Sequence, residues 1–128
     1  MAMSMKASVL LGLVVAGLIS MVSAESGTAT FYTKYFPSAC YENEDHGVMI
    51  AAASPAIYKH GAACGRMYNV WCTGPTNQGE PNPCRGNGVT VKVVDLCDGC
   101  KGLLLDLSQE AFSQIADPDA GRIQIEFY

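Results

Sequence analysis

The chain is short of charge, above all of positive charge. Of its 128 residues 16% are charged, and 8 Lys and Arg stand against 12 Asp and Glu. Without a basic surplus little is available to displace the counterions of a polyanion, so neither nucleic acid nor an anionic membrane surface is an expected partner. There is no block of like charge, no repeat of solenoid length and no Asn-x-Ser/Thr glycan acceptor. Histidine is scarce, and His46 and His60 are not spaced as partners of the single Cys-x-x-Cys, so no metal is expected and both read as solvated loop residues. Long hydrophobic runs are missing too: the continuous apolar and glycine stretch from Val9 to Ile19 has 11 residues, whereas a membrane span needs about 20. The length leaves room for one small domain.

What the N-terminus does carry is Lys6, then that short apolar run, then small residues at Val22-Ser23-Ala24. This is the pattern of a secretory signal, predicting cleavage of residues 1–24 and a mature domain of 25–128 without a transmembrane segment. Removal of Lys6 makes the mature chain still more acidic. All six cysteines lie in the mature part. An even count in a small secreted domain predicts three disulfides, although six cysteines allow about 15 connectivities.

Strand patterns dominate the mature chain. Gly27 to Thr33 alternates β-branched and aromatic residues with small ones, Val48 to Ala53 is a short apolar run, and Met67 to Cys72 alternates with Tyr68, Val70 and Cys72 on one face. Val89 to Asp95 is almost wholly β-branched, Leu103 to Leu107 is a further buried run, and Ile123, Ile125 and Phe127 alternate within 122–128. Ser54-Pro55 predicts a brief helix to about Tyr58. Ser108 predicts a capped helix with Glu110 in its first turn, Ala111, Phe112 and Ile115 as its apolar face, and Asp117-Pro118 as its stop. Thr73 to Gly88, with four Gly and three Pro, predicts a loop. About six short strands and one or two short helices favour a closed, mainly β barrel over a doubly wound sheet.

The ordered set Gly27-Thr-Ala-Thr-Phe-Tyr32, Ala63-Cys-Gly65, Cys72-Thr-Gly-Pro75, Val93-Val-Asp-Leu-Cys97 and Asp106-Leu-Ser-x-x-Ala-Phe112 resembles the plant natriuretic peptide family, within the expansin-like group whose barrel is similar to family-45 endoglucanases and barwin. The likeness spans nearly all of 25–128. It implies a six-stranded double-psi β-barrel stabilised by disulfides Cys40–Cys64, Cys72–Cys84 and Cys97–Cys100, secretion to the apoplast, a monomer and no cofactor. It also implies a polar groove formed by Thr30, Asp95 and Asp106, with Tyr32 beside it.

Two constellations could carry chemistry. Cys97-Asp-Gly-Cys100 could be a redox dithiol, but it lacks a strand-to-helix setting and Asp98 opposes thiolate formation, so a structural bridge is the better reading. Glycoside hydrolysis needs two carboxylates roughly 5–9.5 Å apart. Asp106, after the apolar Leu103 to Leu105, matches the acid of the endoglucanase pattern, but the place of the base reads Thr33-Lys34-Tyr35 and a Lys cannot act as a carboxylate. Hydrolysis is therefore not expected. Asp106 could equally be a structural carboxylate bonding N–H groups at the start of the Ser108 helix, and Asp95 a turn residue ending its strand. Tyr32, Tyr35, Phe36, Tyr41, Tyr58, Tyr68 and Trp71 supply either sugar-stacking platforms or barrel packing. The resemblance implies an extracellular signal in water and ion homeostasis and stress or defence, acting on a plasma-membrane receptor. The alternative is a non-hydrolytic binder or loosener of wall polysaccharide.

Overall fold

The computed structural model describes residues 23–77 and 80–128. The expected signal therefore falls almost wholly on residues 1–22, outside the described residues. Six strands, β1 (Glu25–Tyr32), β2 (Ile50–Ala53), β3 (Met67–Pro75), β4 (Val89–Leu96), β5 (Leu104–Ser108) and β6 (Ile123–Phe127), close a barrel in the order β1-β5-β2-β4-β3-β6. Helix α1 (Pro55–Tyr58) follows β2, and α2 (Gln109–Ile115) follows β5. Pairs β1/β5 and β2/β4 are parallel and the other four are antiparallel. Among the described residues no helix is long and apolar enough to cross a membrane.

Alternation along each strand decides what fills the barrel. Ala29, Ala51, Ala53, Val70, Val91, Val93, Leu105, Leu107, Ile123, Ile125 and Phe127 join one buried cluster, and Phe112 and Ile115 of α2 add to it. Each of the larger side chains contributes on the order of 1.5–3 kcal/mol by leaving water. The alanines of β2 keep room for the branched residues of its two neighbours.

Local signals set the helix ends. Ser108 caps α2 by accepting a bond from Ala111 N at 3.0 Å, and Ala116 turns extended just before Asp117-Pro118. Helix α1 stops where Lys59 and His60 adopt left-handed conformations. Strand β3 runs to Pro75 and not only to Cys72, because β6 pairs with it across a register shift between Cys72 and Gly74. Val48 was expected to begin β2 but is exposed, and the strand starts at Ile50.

Disulfides join Cys40 to Cys64, Cys72 to Cys84 and Cys97 to Cys100. The first holds the loop after β1, the second ties down the Gly/Pro-rich segment after β3, and the third clips the turn after β4. These are segments with few apolar side chains to hold them. His60 is exposed, but His46 is not simply solvated: it stacks on Tyr41 at 3.8 Å and receives a bond from Lys92 Nζ on Nδ1 at 2.8 Å. Since an ammonium can only donate, Nδ1 is the acceptor and Nε2 carries the hydrogen toward Glu44, 3.1 Å away.

Ser108 is fully buried, and besides capping α2 its hydroxyl donates to the Val48 carbonyl. Ser108→Ala should cost about 1–3 kcal/mol, combining a lost cap with an orphaned carbonyl. Urea denaturation of the disulfide-intact protein measures this; an unchanged midpoint would mean that water replaces the hydroxyl without cost.

Candidate functional site

The strand register assembles one polar row on the outside of the barrel. Leu105 and Leu107 point inward from β5, which leaves Asp106 on the outer face; Ala29 does the same for Thr30 on β1. Thr30 stands opposite Asp106, Asp106 opposite Ala52, and Ala52 opposite Asp95, so the row crosses four adjacent strands. Simple alternation from Val91 and Val93 would turn Asp95 into the core. A bulge prevents this: the pairing steps from Ala51↔Val93 to Ala52↔Asp95, and the extra residue re-aims the carboxylate outward. Ala52 between the two acids is too small to separate them.

Each acid has a distinct environment. Asp106 Oδ1 accepts the Thr30 hydroxyl at 2.8 Å and makes no bond to the α2 N-terminus, which Ser108 caps instead. Burial pushes the Asp106 carboxyl above its ordinary value, with the nearby Asp95 charge adding and the Thr30 bond offsetting part. Asp95 lies inside β4, and its Oδ1 accepts from Ala39 N and Leu96 N, both at 2.8 Å, which fastens the loop after β1 onto the barrel. Tyr32 shares the outer face of β1 with Thr30, two residues on. Its hydroxyl is buried without a hydrogen-bond partner among the described residues, and burial together with the charges of Asp95 and Asp106 pushes the phenol well above its usual range.

Beyond Tyr32 the row runs into a depression of about 510 Å³ lined by Thr33, Tyr35, Gln109, Glu110 and Ser113. Tyr35 meets Tyr32 edge-on at 5.2 Å. Its hydroxyl donates to Glu110 and accepts from Gln109 N at 3.2 Å, and burial followed by the Glu110 bond raises its pKa. The sequence marked Glu110 only as a first-turn helix acid; nothing local signalled its bond to a residue 75 positions away.

The other aromatic candidates divide. Tyr68 packs in the core against Phe127, Tyr41 carries His46, Tyr58 is partly buried against the core, and Phe36 is exposed. Trp71 lies on β3, away from the row, against Tyr128. Among the described residues, Glu80, Asp117 and Asp119 are the acids close enough together to share a cation. They sit apart from the row, and Arg85 already approaches Asp117 at 3.5 Å.

Known proteins share the fold and much of the sequence. The family model for double-psi β-barrels, described as lytic transglycolase, matches residues 50–127. An EG45-like domain containing protein of Citrus jambhiri is 62% identical over 84% of this chain and 83% of its own length. The chain is a member of the EG45-like, expansin-like double-psi β-barrel family. A second EG45-like relative, putative EG45-like domain containing protein 1 of Arabidopsis thaliana, is 47% identical over 96% of this chain and 98% of its own. Among solved structures, the Clavibacter michiganensis expansin carrying an Asp-to-Asn mutation, in complex with cellohexaose, aligns with TM-score 0.64 and 31% identity over 83% of this chain. The EG45-like chain spans only half of that expansin.

In this family member the raised Asp106 pKa has a defined stability signature. The folded state holds the Asp106 proton more firmly than the unfolded chain, so this group's contribution to stability falls as pH rises from about 3.8 through the raised value and stays reduced above it. Asp106→Asn keeps an acceptor for Thr30 and removes the ionisation. The variant should be at least as stable as the parent at neutral pH and should lose less stability between acid and neutral pH, as read from urea midpoints. An identical pH slope in the two proteins would show that Asp106 ionises freely.

Proposed function

We propose that this chain is a secreted, non-hydrolytic protein that binds β-glucan of the plant cell wall along the row Asp95, Asp106, Thr30 and Tyr32, acting as a monomer without a cofactor. The observation that carries the reading is the row itself: the strand register sets Thr30 opposite Asp106 and Ala52 between Asp106 and Asp95 on one outer face. Sugar hydroxyls laid across the row can donate to the carboxylate oxygens of Asp106 and Asp95. Support also comes from the bacterial expansin relative solved with cellohexaose. The Cys pairs and the N-terminal signal pattern support secretion.

Binding without cleavage follows from the acids. Asp106 retains the features of a general acid, but Lys34 occupies the place of the base, and Asp95 has one oxygen committed to two backbone N–H groups. A second reading is an extracellular signal in water and ion homeostasis and stress or defence, delivered through a plasma-membrane receptor. The lengths of the EG45-like relatives favour it: they are matched over 83% and 98% of themselves and have no space for a second domain of expansin size. That reading expects the purified protein to change protoplast swelling or ion flux at low concentration, and it falls if neither responds.

For the glycan reading, calorimetric titration of the mature protein with cellohexaose should show binding without release of reducing sugar. Asp106→Ala removes the part-exposed carboxylate at the middle of the row, so it should weaken binding roughly threefold to tenfold. Equal affinity of parent and variant would remove Asp106 from the site, and reducing ends appearing over time would overturn the non-hydrolytic assignment.

A further inference from the structure

A cavity on another flank of the barrel has the chemistry of a saccharide site and is separate from the carboxylate row. It holds about 490 Å³, within the range of roughly 300–1,000 Å³ usual for small-ligand pockets, and is bounded by β3, the start of β4, the end of β6 and α2. Its polar and aromatic lining is Asn69, Trp71, Asn87, Thr90, Gln114 and Tyr128, and no acidic or basic side chain borders it. A lining of amides, hydroxyls and aromatic rings suits a ligand rich in hydroxyl groups.

The lining is held in place by backbone contacts. Tyr128 is half exposed, yet its main chain exchanges two bonds with Asn69, N to O at 2.9 and 3.1 Å, which extends the β3–β6 ladder and places its ring beside Trp71. The two rings lie 5.8 Å apart at 70°. Asn87 is presented by the turn Gly86-Asn87-Gly88, whose glycines have φ of 63° and 121°. A Cβ on Gly86 would come within 2.8 Å of Gln114 O, and one on Gly88 within 3.1 Å of Val70 O, so only glycine lets the turn press this closely on α2 and β3. Thr90 donates to Asn69 Oδ1 at 2.8 Å, which orients that amide and leaves its N–H donors without a partner among the described residues. The Asn87 side chain has no partner among the described residues.

We infer that this cavity binds a neutral saccharide, one pyranose ring at a chain end or branch, with an apolar ring face against Trp71 and Tyr128 and its hydroxyls bonded by the amides of Asn69, Asn87 and Gln114. The angle between the two rings makes a corner, which accepts a single ring end-on and does not offer the flat platform that a crystalline glucan surface requires. The carboxylate row is a different surface with different residues, so this assignment stands or falls independently of it. With both sites occupied the barrel would be bivalent, joining two glycan segments or two points on one chain.

Trp71 is the one tryptophan of the sequence, so tryptophan emission reports on this cavity and not on the row. The mature, disulfide-intact protein is titrated with cellohexaose and separately with xylohexaose. A saturable change in emission with either sugar is expected, retained in Asp106→Asn and weakened about tenfold or more in the double variant Asn87→Ala, Gln114→Ala. Both substituted residues are exposed, and thermal melting of the double variant checks that the barrel is intact. No saturable change with either sugar, a change indifferent to the double variant, or a change abolished by Asp106→Asn would each overturn the assignment.

Discussion

Between Ala51 and Ala52 the pairing of β2 with β4 skips one residue, and the polar face of the barrel depends on that slip. Without it Val94 would stand outside and Asp95 would be driven into a core made of Val91, Val93, Leu105 and Leu107, where an unpaired carboxylate is untenable. With it, Asp95, Asp106 and Thr30 share one surface, where burial and then the Asp95 charge raise the Asp106 carboxyl against the Thr30 bond. The bulge is affordable because β2 is built of alanine: small side chains on both faces let the strand shift without emptying or overfilling the interior.

The same carboxylates that make the row chemically distinctive also hold the fold. Asp95 fastens the loop after β1 through Ala39, and the Cys40–Cys64 bridge anchors the next residue of that loop. Tyr32 and Tyr35 are thereby kept at the edge of the row, with Glu110 and Gln109 of α2 closing the far side. A domain of this size has a limited core, so covalent ties and buried polar clamps do what a larger protein would do with additional apolar layers. An acid employed as a clamp has one oxygen less to offer a reaction.

Much of this was legible in the residues. Period-two patterns located the strands, and Ser54-Pro55 and Ser108 located the helix starts. What escaped were long-range matters. His46 looked solvated because its partners Tyr41 and Lys92 come from different segments, and Asp106 could be read as a helix-start carboxylate because nothing local distinguishes it from one. Trp71 was one aromatic among several until Tyr128, Asn87 and Gln114 gathered around it.

By itself the sequence determined the local and periodic features: strand and helix positions and the acidic balance of the chain. These depend on propensity and spacing along a few residues. The family resemblance, not local pattern, supplied the cysteine pairs and the Thr30–Asp106 grouping; only the tertiary structure decided which way Asp95 faces and that Thr30 bonds Asp106 across 76 positions. The reason is that a closed barrel couples every strand to two others, so the register of one pair is settled by the packing of them all.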